Sequence, residues 1–358
     1  MKWPSHGSNP QYLFSSLQMK MPKERIDFSA NINPLGPPEI LKEKWGELFT
    51  AISDYPDPKG CKLKKSLAEK EHLKEEQILI GNGGAELISL IGRMLSGKRV
   101  LIVQPAFSEY EEACRINGCS IHYHQLNPDK WELRLEEIAE KLLDIDAIFL
   151  CNPCNPTGMY YSKKLLTELL KECQKQNCLL IVDEAFYDFL SEYESITSYI
   201  NEYSNLLIIR SMTKMFAIPG LRLGYLMANE QMVEELASLQ PQWSMNALAL
   251  QAGEWCIVSE VYVEETRRLI DQERERLFQF YQQREFLFSP SRVNFYLLKD
   301  PALHDQLPFF EFLLLKGIIP RHTMNFPGLE GGWLRFAIKG QEYNDVLMGA
   351  IEEWQNRP

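Results

Sequence analysis

Positive charge is in short supply in this sequence. Against 49 Asp and Glu stand 38 Lys and Arg, a formal net charge of −11, and an excess of that sign repels a nucleic-acid backbone. The one short basic run, Lys62, Lys64 and Lys65, reads as the wet face of a helix. Long apolar runs are missing too. No stretch approaches the roughly 18 residues that a membrane span needs, and the opening Met1-Lys2-Trp3-Pro4-Ser5-His6-Gly7 carries no apolar leader, so a cytoplasmic protein is expected, without membrane or nucleic-acid partners. The eight cysteines follow no framework spacing, and reduced thiols are expected in place of disulfides. Cys151 and Cys154 form a C-x-x-C pair, but Pro153 and Asn155-Pro156-Thr157-Gly158 make a tight loop with no second ligand pair near it. No metal centre is expected there.

What the chain does have is the composition of a folded protein: 45% hydrophobic and 24% charged residues, which excludes disorder. Its 358 residues fit one large domain and a smaller one, at about 100 to 200 residues per domain. Apolar runs at Gln77–Ile80, Arg99–Val103, Ile145–Cys151, Cys178–Val182 and Leu206–Arg210 alternate with helix-like stretches. That alternation marks an α/β fold with a mainly parallel sheet, covered by helices on both faces because the runs are apolar throughout. Ser162 ahead of Lys163–Gln176, and Gly118 after Phe107–Asn117, supply helix start and stop signals. After about Trp255 the pattern changes to a long charged helix over Glu260–Glu285 and isolated strands near Arg292–Leu298 and Trp333–Ile338. The expected organisation is an arm with little structure of its own (residues 1–36) that packs on the small domain or on a partner subunit, a large domain (37–255) and a small α+β domain (256–358).

In such a sheet ligands sit beyond the carboxyl ends of the strands, so the loops there are the places to look for chemistry. Gly81-Asn82-Gly83-Gly84-Ala85-Glu86 follows the first run and opens a helix. Free N–H groups and the positive dipole end at such a turn suit a phosphate, although a tight strand-to-helix turn alone would look the same. Glu86 stands where a dinucleotide fingerprint has its third glycine, which disfavours a nicotinamide or flavin. Asp183 ends a buried run and needs a cationic partner unless it merely caps a helix; a protonated pyridine nitrogen would serve. The stretch from Ser211 to Tyr225 holds Lys214 among apolar neighbours, with Arg222 near it. Burial and a neighbouring cation lower an amine's pKa and make it a nucleophile toward a carbonyl. Ser211 and Arg222 offer a hydroxyl and a guanidinium to a phosphate.

Taken together, Gly83-Gly84-Ala85, Asn152-Pro153-Cys154-Asn155-Pro156-Thr157-Gly158, Asp183-Glu184-Ala185-Phe186 and Ser211-x-Thr213-Lys214 with Pro219-Gly220-x-Arg222-x-Gly224 resemble the fold type I pyridoxal 5′-phosphate (PLP) enzymes of the aspartate aminotransferase superfamily. His6-Gly7, the segment Asp27 to Gly36, Gly81 to Ile88 and Phe107-Ser108-Glu109-Tyr110 narrow the likeness to the L-threonine-O-3-phosphate decarboxylases of cobalamin synthesis, near relatives of histidinol-phosphate aminotransferases. The resemblance implies a mainly parallel seven-stranded sheet flanked by helices, a smaller α+β domain, and a homodimer with shared active sites. It implies that Lys214 carries PLP as a Schiff base, that Asp183 pairs with the ring nitrogen, that Asn155 meets the ring's 3′-oxygen and that Phe107 stacks on the ring. Gly84, Ala85, Ser211, Thr213 and Arg222 would hold the cofactor phosphate, joined by Tyr55 from the second subunit. Arg335 would take the substrate carboxylate, with Arg321, His6 and Asn31 as candidates for its phosphate.

The pattern departs from many relatives in two places. Phe186 replaces a tyrosine that donates to the ring oxygen, a role left to Asn155 or shared with Tyr187, and Met159 stands where an arginine is frequent. The expected reaction is decarboxylation of L-threonine O-3-phosphate to (R)-1-amino-2-propanol O-2-phosphate. The same residues would also serve a histidinol-phosphate aminotransferase or a related transferase, and more remotely a PLP-binding regulator without turnover.

Overall fold

Strands whose side chains alternate between two apolar layers must be apolar at every position, and the central sheet is made of such strands. The computed structural model describes Trp3, Pro4, residues 6–128 and residues 130–357. After a two-residue strand β1 (Ile26–Asp27) come β2 (Ile78–Gly81), β3 (Arg99–Gln104), β4 (Ser120–Gln125), β5 (Ala147–Cys151), β6 (Leu179–Asp183), β7 (Leu206–Ser211) and β8 (Gly224–Ala228). These last seven form one sheet in the order β2-β8-β7-β6-β5-β3-β4. Strands β3 to β7 pair in parallel, and β8 alone runs against its neighbours β7 and β2. Ile148, Leu150, Leu180, Val182 and Ile208 enter one core. Their chain neighbours Ala147, Phe149, Leu179, Ile181 and Leu207 enter the other.

Helices supply the two outer layers through stripes of matching period. In Lys163–Lys175 the buried residues are Leu166, Leu169, Leu170 and Cys173, and Ser162 caps the helix by accepting from the Leu165 N–H. The helix Gly83–Met94 buries Leu87, Ile88, Leu90 and Ile91. Each such side chain contributes ~1.5–3 kcal/mol when fully buried. Among the described residues no helix is long and apolar enough to cross a membrane.

The C-terminal part opens with the helix Glu260–Gln283 and adds β9 (Leu287–Phe288), β10 (Phe295–Lys299), β11 (Ile318–Ile319), β12 (Arg321–His322) and β13 (Leu334–Ala337). The two strands expected to stand isolated in fact pair with each other, antiparallel, at the centre of a four-stranded sheet ordered β12-β13-β10-β9. The arm packs on the small domain, but has more structure of its own than expected. It contains a helix, Pro10–Ser16, that buries Leu13 and Phe14, and its β1 pairs in parallel with β11. Tertiary partners far along the chain stabilise both pieces, and no local pattern announces them. Met1, Lys2 and Ser5 of the arm lie outside the described residues.

Candidate active site

The carboxyl ends of β6 and β7, the glycine turn after β2 and the edge of the smaller sheet enclose one cavity of about 390 Å³. It brings together Gly84, Ala85, Phe107, Asn155, Asp183, Ser211, Thr213, Lys214 and Arg222 with His6, Asn31, Arg321 and Arg335. Tyr55 is not among the lining residues: its side chain is 86% exposed, with its ring 5.4 Å from that of Trp243.

One wall is a cradle for an anion. Gly83 has φ +77°, and a Cβ there would come within 2.7 Å of Arg222 Nη2. A Cβ on Gly224 would meet the Arg210 carbonyl at 2.8 Å and the Gly84 nitrogen at 3.1 Å, so both positions need glycine for β8 to approach the turn. Arg222 holds the left-handed φ of +58°, a strain on the order of 1–3 kcal/mol that directs its guanidinium onto the glycine turn. Ser211 and Thr213 bring their hydroxyls to 2.9 Å from each other. Helix N–H groups, two hydroxyls and a guanidinium fit the phosphate of a cofactor.

A second wall holds the ionisable pair. Asp183 is buried, with Oδ2 accepting from the Tyr110 hydroxyl at 2.5 Å and Oδ1 from the Ala185 N–H at 2.9 Å. Burial raises its pKa, while Tyr110, Ala185 and the positive charge of Lys214 oppose the rise. A cationic ring nitrogen at this carboxylate would offset the cost of its burial. Burial, followed by the nearby charges of Arg222 and Arg335, lowers the Lys214 amine to about 8, with Asp183 in opposition. A neutral, nucleophilic amine is therefore accessible near physiological pH.

The third wall is cationic. Arg321 and Arg335 face each other as cross-strand partners of β12 and β13, 3% and 7% exposed. Such partners have Cβ atoms about 4.5–5.5 Å apart on one face of the sheet. Burial lowers Arg321 to about 10; burial and then Arg321 itself lower Arg335 to about 9. Arg335 donates to Asn155 Oδ1 at 2.5 Å and to the Ser29 carbonyl at 2.7 Å, both neutral acceptors, and its Nε is buried without a partner among the described residues. Asn31 Oδ1 is likewise buried without a partner among the described residues. Two guanidinium groups side by side make this wall a favourable place for an anion.

Several residues that position this site were not singled out from the sequence. Asn33 donates to Met215 O at 2.8 Å and Thr266 Oγ1 at 2.6 Å, and accepts nothing from Lys214 but gives its backbone N–H to the Lys214 carbonyl at 3.1 Å. It thereby fixes the lysine-bearing turn. Tyr110 lies three residues after Phe107, one helical turn away, and that spacing was the available signal for its place in the site. Beneath the site Arg210 pairs with Glu184 at 2.9 Å and Glu71 at 2.5 Å, all three buried side chains. Tyr187 stacks on Arg210 at 3.6 Å and bonds toward Tyr225, so it is not among the cavity's lining residues and does not replace the missing tyrosine. Phe186 does line the cavity, while Met159 packs against the core.

The family described as Aminotransferase class I and II matches residues 23–351. A threonine-phosphate decarboxylase from Salmonella typhimurium is 34% identical over 351 residues, covering 97% of this chain and 95% of that protein. A histidinol-phosphate aminotransferase from Pyrococcus furiosus is 33% identical over 334 residues, 92% of each chain. The crystal structure of the histidinol-phosphate aminotransferase from Clostridium acetobutylicum superposes with a TM-score of 0.87 at 31% identity, covering 92% of this chain and 98% of that one.

Proposed function

Because the chain belongs to the aminotransferase class I and II family, we propose that it is a PLP-dependent decarboxylase converting L-threonine O-3-phosphate to (R)-1-amino-2-propanol O-2-phosphate in cobalamin synthesis. The observation that carries this reading is the register pair Arg321 and Arg335, two buried guanidinium groups beside Lys214 and Asp183 in one cavity. A small amino acid with a phosphate and a carboxylate presents two anions that guanidinium groups bind in bidentate fashion. The full-length likeness to a threonine-phosphate decarboxylase supports the same substrate.

In this reading Gly84, Ala85, Ser211, Thr213 and Arg222 hold the cofactor phosphate, Asp183 the ring nitrogen, Asn155 the ring oxygen and Phe107 the ring face. PLP, when bound, supplies an aldehyde for amines and a ring that takes up the electron pair left when a bond at the substrate Cα breaks. Asp183 keeps the proton on the ring nitrogen. Arg335 grips the carboxylate, and Arg321, with His6 and Asn31, grips the phosphate. Two grips would fix the rotation about the substrate's Cα and so select which of its bonds breaks. With the carboxylate lost as CO2, the Lys214 ammonium would return a proton to Cα. The enzyme is read as a cytoplasmic homodimer, with the exposed Tyr55 offered to the partner's cofactor phosphate. An arm (1–36), a large domain (37–255) and a small one (256–358) divide the chain.

The likeness to histidinol-phosphate aminotransferases, in sequence and in fold, favours transamination as the second reading, since the same residues serve when Cα–H is turned out of plane. Purified holoenzyme given carboxyl-labelled L-threonine phosphate should release labelled CO2. Transfer of the amino group from histidinol phosphate to a 2-oxo acid, with no CO2 from threonine phosphate, would overturn decarboxylation.

A further inference from the structure

His6 enters the cavity already engaged: its Nε2 lies 2.9 Å from Glu109 Oε1. An imidazole N–H donates to a carboxylate whether the ring is charged or neutral. His6 belongs to the arm, and its ring centroid stands 5.8 Å from that of Phe107. Glu109 is in the first turn of the helix Ser108–Ile116, next to Ser108 and close to Phe107, both of which line the cavity. The arm is held close by its neighbours. Ser8 N–H donates to Ser29 Oγ at 2.9 Å, a Cβ on Gly7 would come within 2.7 Å of Ser29 O, and that carbonyl accepts from Arg335. An acid thus occupies a donor that lines the same cavity as Arg321 and Arg335.

We propose that Glu109 sets the affinity of the substrate-phosphate subsite, as an internal anion that occupies His6 until the phosphate of a substrate displaces it. This rests on the reading that the cavity takes a phosphorylated amino acid. The His6 and Glu109 side chains are 46% and 26% exposed, so their contact is screened by water and weak. A phosphate ester carries about −1.5 to −2 charge at neutral pH against one for a carboxylate, and a phosphate at this wall also meets the buried Arg321. It wins the exchange, whereas the hydroxyl of an unphosphorylated amino acid does not. Glu109 thereby weakens every ligand that needs His6 and leaves the others alone.

Two simpler roles make different forecasts. A Glu in the first helical turn that serves only the helix dipole would change stability and not ligand affinity. A Glu that holds His6 ready for phosphate would, on removal, weaken phosphate binding.

The experiment compares wild-type holoenzyme with Glu109→Gln, His6→Asn and the double variant. It measures KM for L-threonine phosphate and for histidinol phosphate, and the binding of inorganic phosphate by change in cofactor absorbance. Glu109→Gln is expected to lower the KM and the phosphate Kd by about two- to fivefold, the size of an exposed ion pair. In the His6→Asn background the same substitution is expected to give no gain. A KM and Kd that rise or stay unchanged, or a gain that persists without His6, overturns the proposal. If wild type turns over histidinol phosphate and not threonine phosphate, the decarboxylase reading fails while the Glu109 ratios still decide this one. If no phosphorylated ligand binds wild type, both fall.

Discussion

Tyr110 donates its hydroxyl hydrogen to Asp183 at 2.5 Å, and both side chains are buried. With the Ala185 N–H on the other oxygen, the carboxylate is held from two sides and aimed into the cavity. Tyr110→Phe removes a bond that lowers the Asp183 pKa, so the acid shifts further up and less of it is ionised at neutral pH. A hydrogen bond to a charged group is worth roughly 1.5–3 kcal/mol. PLP affinity, measured by titrating cofactor-free protein at neutral pH, should fall about tenfold or more. An unchanged affinity would show that Tyr110 only fills space.

The Lys214 amine gives a pH dependence of definite sign. Its pKa is lowered to about 8, below the ordinary value of about 10.4, and only the neutral amine attacks an aldehyde. The rate at which cofactor-free protein combines with PLP should rise with pH through a midpoint near 8. Arg222→Gln removes a cation that depresses the amine, and should move that midpoint upward. A midpoint at the ordinary lysine value in the unsubstituted protein would contradict the burial of this amine.

The paired arginines should separate in their effects from the cofactor cradle. Arg335→Gln is expected to raise KM for L-threonine phosphate by about 10- to 100-fold, the worth of a charge-assisted pair, while leaving the cofactor absorbance band in place. Arg222→Gln should instead weaken PLP binding. Steady-state kinetics and cofactor titration distinguish the two, and a common loss of cofactor in both variants would contradict the division of labour.

Arg210 is expected to matter for stability. Its guanidinium lies between Glu184 and Glu71, and all three side chains are buried. Arg210→Met leaves two uncompensated acids inside, a loss of roughly 3–5 kcal/mol. Replacing exposed Lys74, paired with Glu230, by Met should change stability far less. Denaturant unfolding of the two variants measures the difference, and similar losses would sink the distinction.

The parts of the fold that were legible from sequence are those with one dominant local signal. Strands β3, β5, β6 and β7 bury nearly every side chain, so their apolar runs located them to within two residues. The helix after Ser162 began where its cap placed it. Strand β4, Ser-Ile-His-Tyr-His-Gln, lies at the sheet edge with mostly exposed side chains and offered no such run. The antiparallel β8 was equally silent, because direction is a property of the connection and not of the residues. Within the site, the glycine turn, Asp183, Lys214 and Arg222 could be read from chemistry at strand ends. The contact of Asn33 with the lysine turn spans 182 positions, and the facing of Arg321 and Arg335 depends on a register between two short strands. Neither leaves a trace in local pattern.

The most direct test is borohydride reduction of the holoenzyme followed by peptide mass mapping. A pyridoxyl-phosphate group fixed to the peptide containing Lys214, and absent from Lys214→Ala, is the expected result. A stable adduct on a different lysine, or a reduced protein that carries no adduct after incubation with PLP, would contradict the assignment of this cavity and the reaction built upon it.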